Sequence, residues 1–228
     1  MIRFCSVLKN LLFLLLIVSL VACRNERDSN RQEINSAPVT SDSRASEPSA
    51  SDLVYSISNY EATFEVVANE TEELKNLHAT LLIRYNVAQG TKSDGFKFVG
   101  TLPVRDVHVV DDGGRALAFQ IAHYNETKIT WQFPAIDKGT KVVIVDFVIE
   151  DAVQQSAEGS EVQLEWVKNF RVPVETAIYR LVLPFARKPT HWQATPDGAK
   201  LREWHGRTAI EVVQSPIQKV PFTVSFKY

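Results

Sequence analysis

Apolar and polar side chains alternate with a period of two along most of the chain after residue 53. Residues 77–85 (LHATLLIRY) carry an apolar side chain at every odd position, and residues 161–167 and 220–228 alternate in the same way. Such alternation predicts β-strands with one buried face and one wet face. Residues 141–149 (KVVIVDFVI) are apolar on both faces except at Asp146, which predicts a central strand covered on both sides.

Turn signals separate these runs, and helix signals are weak. The sequence Asp111-Asp112-Gly113-Gly114 lies between two apolar runs and predicts a hairpin. Similar turn chemistry recurs at residues 125–127, 137–139 and 197–198. Residues 70–77 and 150–157 could each form about one or two helical turns. We therefore predict an all-β domain, an antiparallel β-sandwich of the immunoglobulin-like type, with one or two packed sheets of about ten to twelve strands.

The first 22 residues have the pattern of a secretory signal peptide. Arg3 and Lys9 supply positive charge, and residues 11–18 form a short apolar core. Residues 20–23 (LVAC) resemble the lipobox of bacterial lipoproteins, in which the cysteine becomes the acylated N-terminus. We expect a signal peptide over residues 1–22 and acyl chains such as palmitate on Cys23 that hold the protein on a membrane. The alternative is an uncleaved anchor helix, for which the apolar run is short.

Residues 23–52 predict a disordered tether behind the acylated cysteine. From Arg24 onward they contain no aromatic residue, one Ile and one Val, and polar residues dominate. This composition buries too little apolar surface to offset the entropy lost on ordering. Under the sorting rule of enteric bacteria, an Asp directly after the acylated cysteine favours the inner membrane. Residue 24 is Arg, so we expect the protein at the outer membrane, facing the periplasm. The folded domain is expected to cover residues 53–228.

Composition and charge exclude several function classes. The chain is 45% hydrophobic and 23% charged, an ordinary globular balance. Its formal net charge is −2, so no nucleic-acid partner is expected. Both cysteines lie within the first 23 residues, so the folded part contains neither a disulfide nor a cysteine metal site.

Four stretches of the domain together suggest a known arrangement. They are the opening pair 60–67 with 77–85, then 102–110 (LPVRDVHVV), 139–153, and 164–184, which runs from LEW through RVPV to LVLP. Their order resembles the extracytoplasmic N-terminal β-sandwich of a bacterial family of predicted membrane proteins with no assigned function. The resemblance implies an all-β fold outside the cytoplasm and brings no catalytic residues. Two departures are GFKFVGTLP at residues 95–103, where the family carries an Arg-containing turn, and a lipid in place of the family's transmembrane helix.

Catalytic templates are missing from the sequence. There is no G-x-S-x-G elbow, no glycine-rich phosphate loop and no H-E-x-x-H. None of the histidines pair at metal-ligand spacing. Glu161 and Glu165 share a strand face but lie about 13 Å apart, beyond the ~5–9.5 Å of glycosidase carboxylates. Asp146 is expected to accept hydrogen bonds from a neighbouring strand or to pair with an arginine. We expect no enzymatic activity, no cofactor and no metal.

Two tryptophans with polar neighbours are the candidates for ligand binding. The group consists of Trp192, Trp204, His191, His205 and Arg202. Aromatic rings beside polar groups can stack on sugars, and the cell envelope is rich in glycans. The other interpretation is that the rings fill a sandwich core or its rim. A pocket flanked by both rings would favour glycan or lipid binding, whereas burial of both rings in the core would exclude this hypothesis.

These features predict a non-catalytic interaction module. A lipid-anchored sandwich would present loops or an open edge strand to another envelope protein. Two alternatives remain open. One is a glycan- or lipid-binding lipoprotein that uses Trp192 and Trp204. The other is a small outer-membrane β-barrel, which the alternation ending at Tyr228 favours and the doubly apolar run 141–149 disfavours.

Overall fold

A computed structural model describes residues 53–228, which form fourteen β-strands and one 3₁₀ turn. The predicted signal peptide (1–22), Cys23 and the tether to residue 52 lie outside the described residues. The strands are β1 (Val54–Val67), β2 (Asn76–Gln89), β3 (Lys92–Phe98), β4 (Val104–Asp111), β5 (Phe119–His123), β6 (Thr127–Ile136), β7 (Gly139–Ile149), β8 (Val153–Ser156), β9 (Gly159–Leu164), β10 (Ala177–Val182), β11 (His191–Thr195), β12 (Lys200–Trp204), β13 (Arg207–Gln214) and β14 (Phe222–Lys227).

The all-β prediction is confirmed at this level. The described residues contain no α-helix, and the 3₁₀ turn covers Glu165–Lys168. The weak helix signals at 70–77 and 150–157 belong instead to turns, to the start of β2 and to the whole of β8. Within the described part of the chain, no helix is long and apolar enough to cross a membrane. The count of fourteen exceeds the ten to twelve strands expected.

The largest sheet has seven strands in the order β12-β13-β10-β1-β2-β7-β4. Strand β1 pairs antiparallel with β2 and parallel with β10. The purely antiparallel expectation is therefore wrong for this sheet, which is mixed. Alternate side chains of β1 (Tyr60, Ala62, Phe64 and Val66) are buried, as a period of two requires.

Two smaller sheets complete the domain, a four-stranded one (β11-β14-β9-β8) and a three-stranded one (β3-β6-β5). Buried side chains of all three sheets belong to one hydrophobic core. Phe64 of the seven-stranded sheet stacks on Phe222 of the four-stranded sheet, with ring centroids 6.1 Å apart. Tyr85 meets Phe133 of the three-stranded sheet at 5.8 Å.

The turn at 111–114 closes only a short hairpin. Val110 bridges Ala116, and the backbone N–H groups of Asp111 and Leu117 donate to the carbonyl oxygens of Arg115 and Val109. The pairing stops there, because β4 belongs to the seven-stranded sheet and β5 to the three-stranded sheet. The turns at 137–139 and 197–198 likewise connect strands of different sheets. The turn at 125–127 does close a hairpin, between β5 and β6.

Strand β7 is central but is not buried on both faces. It lies between β2 and β4, and Val143, Val145 and Phe147 are buried. On the opposite face Val142 is also buried, but Ile144, Asp146 and Val148 are half-buried. Asp146 lies on the half-buried face. Its Oδ1 accepts a hydrogen bond from Thr80 Oγ1 on β2 at 2.6 Å, which is the cross-strand partner expected from the sequence.

Candidate functional site

The predicted aromatic group is divided between two sheets. Trp192 and His191 lie on β11 of the four-stranded sheet, whereas Trp204 and Arg202 lie on β12 of the seven-stranded sheet, with His205 just beyond it. His191, His205 and Arg202 are exposed, and both tryptophans are half-buried. Glycan or lipid binding at these residues stays a prediction.

Each tryptophan already has protein contacts. Trp192 packs against the hydrophobic core. The Trp204 ring lies 3.9 Å from the guanidinium carbon of Arg180, a cation–π contact, and 4.9 Å from the His205 ring. Among the described residues, no ring contact joins Trp192 to Trp204.

The histidines and carboxylates do not assemble a cluster. In the part of the chain from residue 53 onward, no group of three or more His, Cys, Asp or Glu side chains is placed to hold a metal ion. His78 lies beside Asp146, with Nε2 3.7 Å from the carboxylate oxygen. This contact lies on the half-buried face of the seven-stranded sheet.

A cavity of about 600 Å³ opens between the seven-stranded sheet and the three-stranded sheet. Residues 168–172, which follow the 3₁₀ turn, form a third wall. The lining is rich in aromatic and aliphatic side chains: Tyr55, Tyr60, Tyr85, Phe96, Phe98, Phe170, Ile57, Ile83 and Val172. Its size and apolar walls are those of a small-molecule site, for which ~300–1,000 Å³ is usual.

A buried lysine forms part of the cavity wall. Lys97 is only 5% exposed and lies on β3 opposite Ile129, so it shares the core-facing side of that sheet. Its Nζ donates hydrogen bonds to the carbonyl oxygens of Trp166 (3.1 Å) and Asn169 (3.0 Å). The ammonium also lies 4.0 Å from the centroid of the Phe170 ring. Burial lowers the pKa of Lys97 to about 7, and Glu126 acts in the opposite direction.

The mouth of the cavity is positively charged. Lys168, Arg171 and Lys219 contribute to the lining together with a single acid, Glu126. Arg171 and Lys219 are exposed, and Lys168 is half-buried and paired with Glu165 at 2.6 Å. The cavity therefore carries a local positive charge in a protein whose formal net charge is −2.

The sequence contains one signal of this cavity, which spacing and motifs do not reveal. In Gly95-Phe96-Lys97-Phe98-Val99 the alternation assigns Gly95, Lys97 and Val99 to one face, and that face is buried. A lysine at a core position is rare unless something compensates for its charge. The other walls come from strands distant in sequence, so spacing alone could not bring them together.

A second feature is the open edge formed by β5. This strand (FQIAH) ends the three-stranded sheet and contains no Lys, Arg, Asp or Glu. Phe119 and Ile121 are each 39% exposed, and Tyr124, just after the strand, is 74% exposed. Phe119 pairs with Trp131 and Ile121 with Ile129, both fully buried on the neighbouring strand β6. Directly opposed residues share a face, so this edge leaves core-facing apolar side chains uncovered.

The other sheet edges are protected. Strand β4 has a register shift between Arg105 and His108, and β3 and β12 carry several charged residues. Strand β8 has only four residues, and the exposed side chains of β11 are polar. Bulges, charges and shortness are the usual means of preventing strand addition. Among the six edge strands of the described sheets, β5 alone has no charged residue and exposes large apolar side chains.

Comparison with known proteins identifies structures of similar fold but does not assign the chain to a family. No protein-family profile matches the sequence, and no curated protein matches it. An M1 zinc metallopeptidase from Deinococcus radiodurans superposes with a TM-score of 0.51 at 13% identity, over 78% of this chain and 44% of that enzyme. Yeast LTA4 hydrolase in complex with bestatin gives 0.52 at 13% identity, over 82% of this chain and 32% of the hydrolase.

A third structure is described as a nutrient binding protein from Legionella pneumophila. It gives a TM-score of 0.51 at 9% identity, over 75% of this chain and 66% of that protein. The chain thus spans less than half of the length of the two enzymes and about two thirds of the Legionella protein. At these identities, the shared property is the fold.

Proposed function

We propose that this chain is an envelope lipoprotein whose β-domain is a non-catalytic interaction module for another envelope protein. Acyl chains on Cys23 hold it at the outer membrane, facing the periplasm, and residues 24–52 act as the tether. The domain is proposed to be a sandwich in which the seven-stranded sheet is one layer and the two smaller sheets are the other. The ring contacts between sheets, Phe64 with Phe222 and Tyr85 with Phe133, support that arrangement.

The observation that carries this proposal is the uncovered edge of β5. An extended segment of the partner adds to this edge through main-chain hydrogen bonds. Apolar side chains at alternate positions of that segment cover Phe119 and Ile121, which face the core side of the sheet. A partner strand with this pattern completes the hydrophobic core at that edge, so the proposal specifies the partner's sequence pattern.

The proposal assigns no reaction to the domain. Two of the structures that share its fold are enzymes, but the chain covers 44% and 32% of them at 13% identity. A fold hosts many unrelated functions, so the likeness carries no activity with it.

In-cell crosslinking of the full chain followed by mass spectrometry tests the proposal, with Ile121→Lys as the variant. A charge on the exposed apolar edge blocks strand addition, so we expect the crosslinked envelope protein to disappear. Val213→Lys is the matched control, because Val213 is a 58% exposed apolar residue on β13 of the seven-stranded sheet, whereas β5 belongs to the three-stranded sheet. A partner that Ile121→Lys retains rules out docking at β5.

The anchor is tested in the same cells with Cys23→Ser. We expect this variant to lose both membrane attachment and the partner, because the acyl chains position the domain at the membrane. Recovery of the same partner at the same yield by a detached Cys23→Ser variant contradicts a lipid-positioned module.

A further inference from the structure

We propose that the cavity between β1, β2, β3 and residues 168–172 binds a small organic acid, a carboxylate carried on a flat apolar body. The carboxylate meets the Lys97 ammonium, and the body lies against the aromatic walls. This is a second binding site, separate from the β5 edge and independent of it.

The first argument is the incomplete surroundings of Lys97. An ammonium has three N–H donors, and only two have protein acceptors in the described structure, the carbonyl oxygens of Trp166 and Asn169. No described carboxylate oxygen lies within 4.0 Å of its nitrogen, although it is 95% inaccessible to solvent. Buried charges in proteins are normally paired. A carboxylate in the cavity would supply the missing acceptor and the missing counter-charge.

The second argument is the character of the walls. Six aromatic side chains contribute to the lining, and two of them, Tyr60 and Tyr85, are buried. Phe170 lies over the ammonium on one side, at 4.0 Å. Ring faces favour a flat apolar partner, because offset-stacked and edge-to-face contacts both bury its surface. A carboxylate without an apolar body would leave most of this surface unused.

The third argument is the charge around the entrance. Lys168, Arg171 and Lys219 outnumber Glu126. Concave sites lined by one sign of charge concentrate ligands of the opposite sign. The pKa of Lys97, lowered by burial, rises when an anion is bound beside it, so binding of the acid favours the charged lysine.

The volume limits the size of the ligand. About 600 Å³ accommodates a ligand up to the size of a drug-like molecule. It cannot enclose a polymer such as a glycan strand. The inference is therefore a small acid held as a whole within the cavity.

A purely structural role for Lys97 makes a different prediction. In that case the ammonium only donates to the carbonyl oxygens of Trp166, in the 3₁₀ turn, and of Asn169, just after it, and it contributes nothing to the binding of an acid. The probe pair 2-naphthoate and 2-naphthamide separates the two, because the molecules share a ring system and differ in charge. Titration calorimetry of the full chain in phosphatidylcholine nanodiscs, with empty nanodiscs subtracted, measures both.

We expect naphthoate to bind the wild-type protein about tenfold or more tightly than naphthamide, the gain of one charge-assisted hydrogen bond. Lys97→Met should bring that ratio to about one while naphthamide binding persists. Lys138→Met, at an exposed turn position, should leave the ratio unchanged. Equal affinities in the wild-type protein, or no saturable naphthoate binding, overturn the proposal.

A second variant keeps the test decisive if Lys97→Met fails to fold. Val172 is half-buried in the cavity wall, outside the strands, and Val172→Trp places a large ring against the space that the ligand would occupy. We expect it to weaken binding of both probes while leaving the circular dichroism spectrum of the wild type. Unchanged naphthoate binding by a folded Val172→Trp variant places the acid elsewhere and overturns the inference.

Discussion

Burial of Lys97 predicts how the stability of the domain depends on pH. Its pKa in the folded protein is lowered to about 7 by desolvation, whereas an unfolded lysine keeps a value of about 10.4. Between these values the unfolded state binds more protons than the folded state. The free energy of unfolding therefore rises with pH across this window. The charged lysine is least favourable at and below pH 7, where the folded protein must bury the ammonium.

The size of this effect follows from the two pKa values. Each pH unit inside the window contributes up to about 1.4 kcal/mol. From about pH 7 to pH 9, the folded lysine goes from half-neutral to neutral while the unfolded lysine stays charged, so the gain is about 2 kcal/mol. Buried tyrosines act in the opposite direction, because their raised pKa values remove stability above about pH 10. Between pH 7 and pH 9, the change in the free energy of unfolding therefore reports on Lys97 and not on the tyrosines.

Urea unfolding followed by tryptophan fluorescence at several pH values measures this slope. Lys97→Met should flatten the rise between pH 7 and pH 9, and Lys138→Met should keep it. The test depends on the slope and not on the absolute stability, because Lys97→Met also removes the donor to two carbonyl groups. Parallel curves for the wild type and Lys97→Met would refute the claim that the folded protein lowers this pKa.

Two further predictions concern the described domain. Gly95→Ala should lower the free energy of unfolding by about 1–3 kcal/mol, because the new Cβ would lie 2.4 Å from the Trp131 ring nitrogen and from the Tyr85 hydroxyl oxygen. Thermal unfolding should show a Tm several degrees lower for this variant. Gly113→Ala is the control and should keep the wild-type Tm, because the atom nearest to its new Cβ lies at 3.4 Å. Hydrogen bonds from the side chain and backbone of Arg115, with a smaller effect of Lys141, hold the pKa of Asp111 well below its usual range. The stabilisation from Asp111 is therefore present above about pH 4 and is lost as the pH falls further. Asp111→Asn should reduce the loss of thermal stability on acidification, and an unchanged loss in this variant would contradict the reasoning.

The alternation of side chains predicted which residues face the core. Val162 and Leu164, at alternate positions of β9, are both buried, whereas the predicted alternation ends at the 3₁₀ turn, in which Trp166 and Val167 are both buried. The prediction succeeded within the strand because a period of two is a local property of an extended chain. The pairing of strands is not local. The run after the Asp111 turn pairs with β4 only as far as Leu117, and its next strand, β5, pairs with β6 in another sheet.

The candidate sites were predicted only in outline. An open edge strand was expected, and the sequence did not identify β5, because edge position depends on which strands pair. The tryptophans were chosen for their residue type, but they lie on strands of different sheets. Lys97 looked unremarkable as one charge among 25 basic residues until its burial was known. Exposure and pairing are properties of the whole fold, so composition and spacing underdetermine them.

The central position of β1 has a consequence for how the domain is produced. Its parallel partner β10 comes much later in the chain, and Thr63 and Arg180, which are hydrogen-bonded across this pair, are 117 residues apart. Until β10 is available, β1 presents an unpaired edge in the middle of what becomes the largest sheet. Long-range parallel pairing of this kind is slow, and such edges promote aggregation. Truncations that end before β10 should therefore yield insoluble protein, and the domain should fold only after β10 has been synthesised and is available to pair with β1.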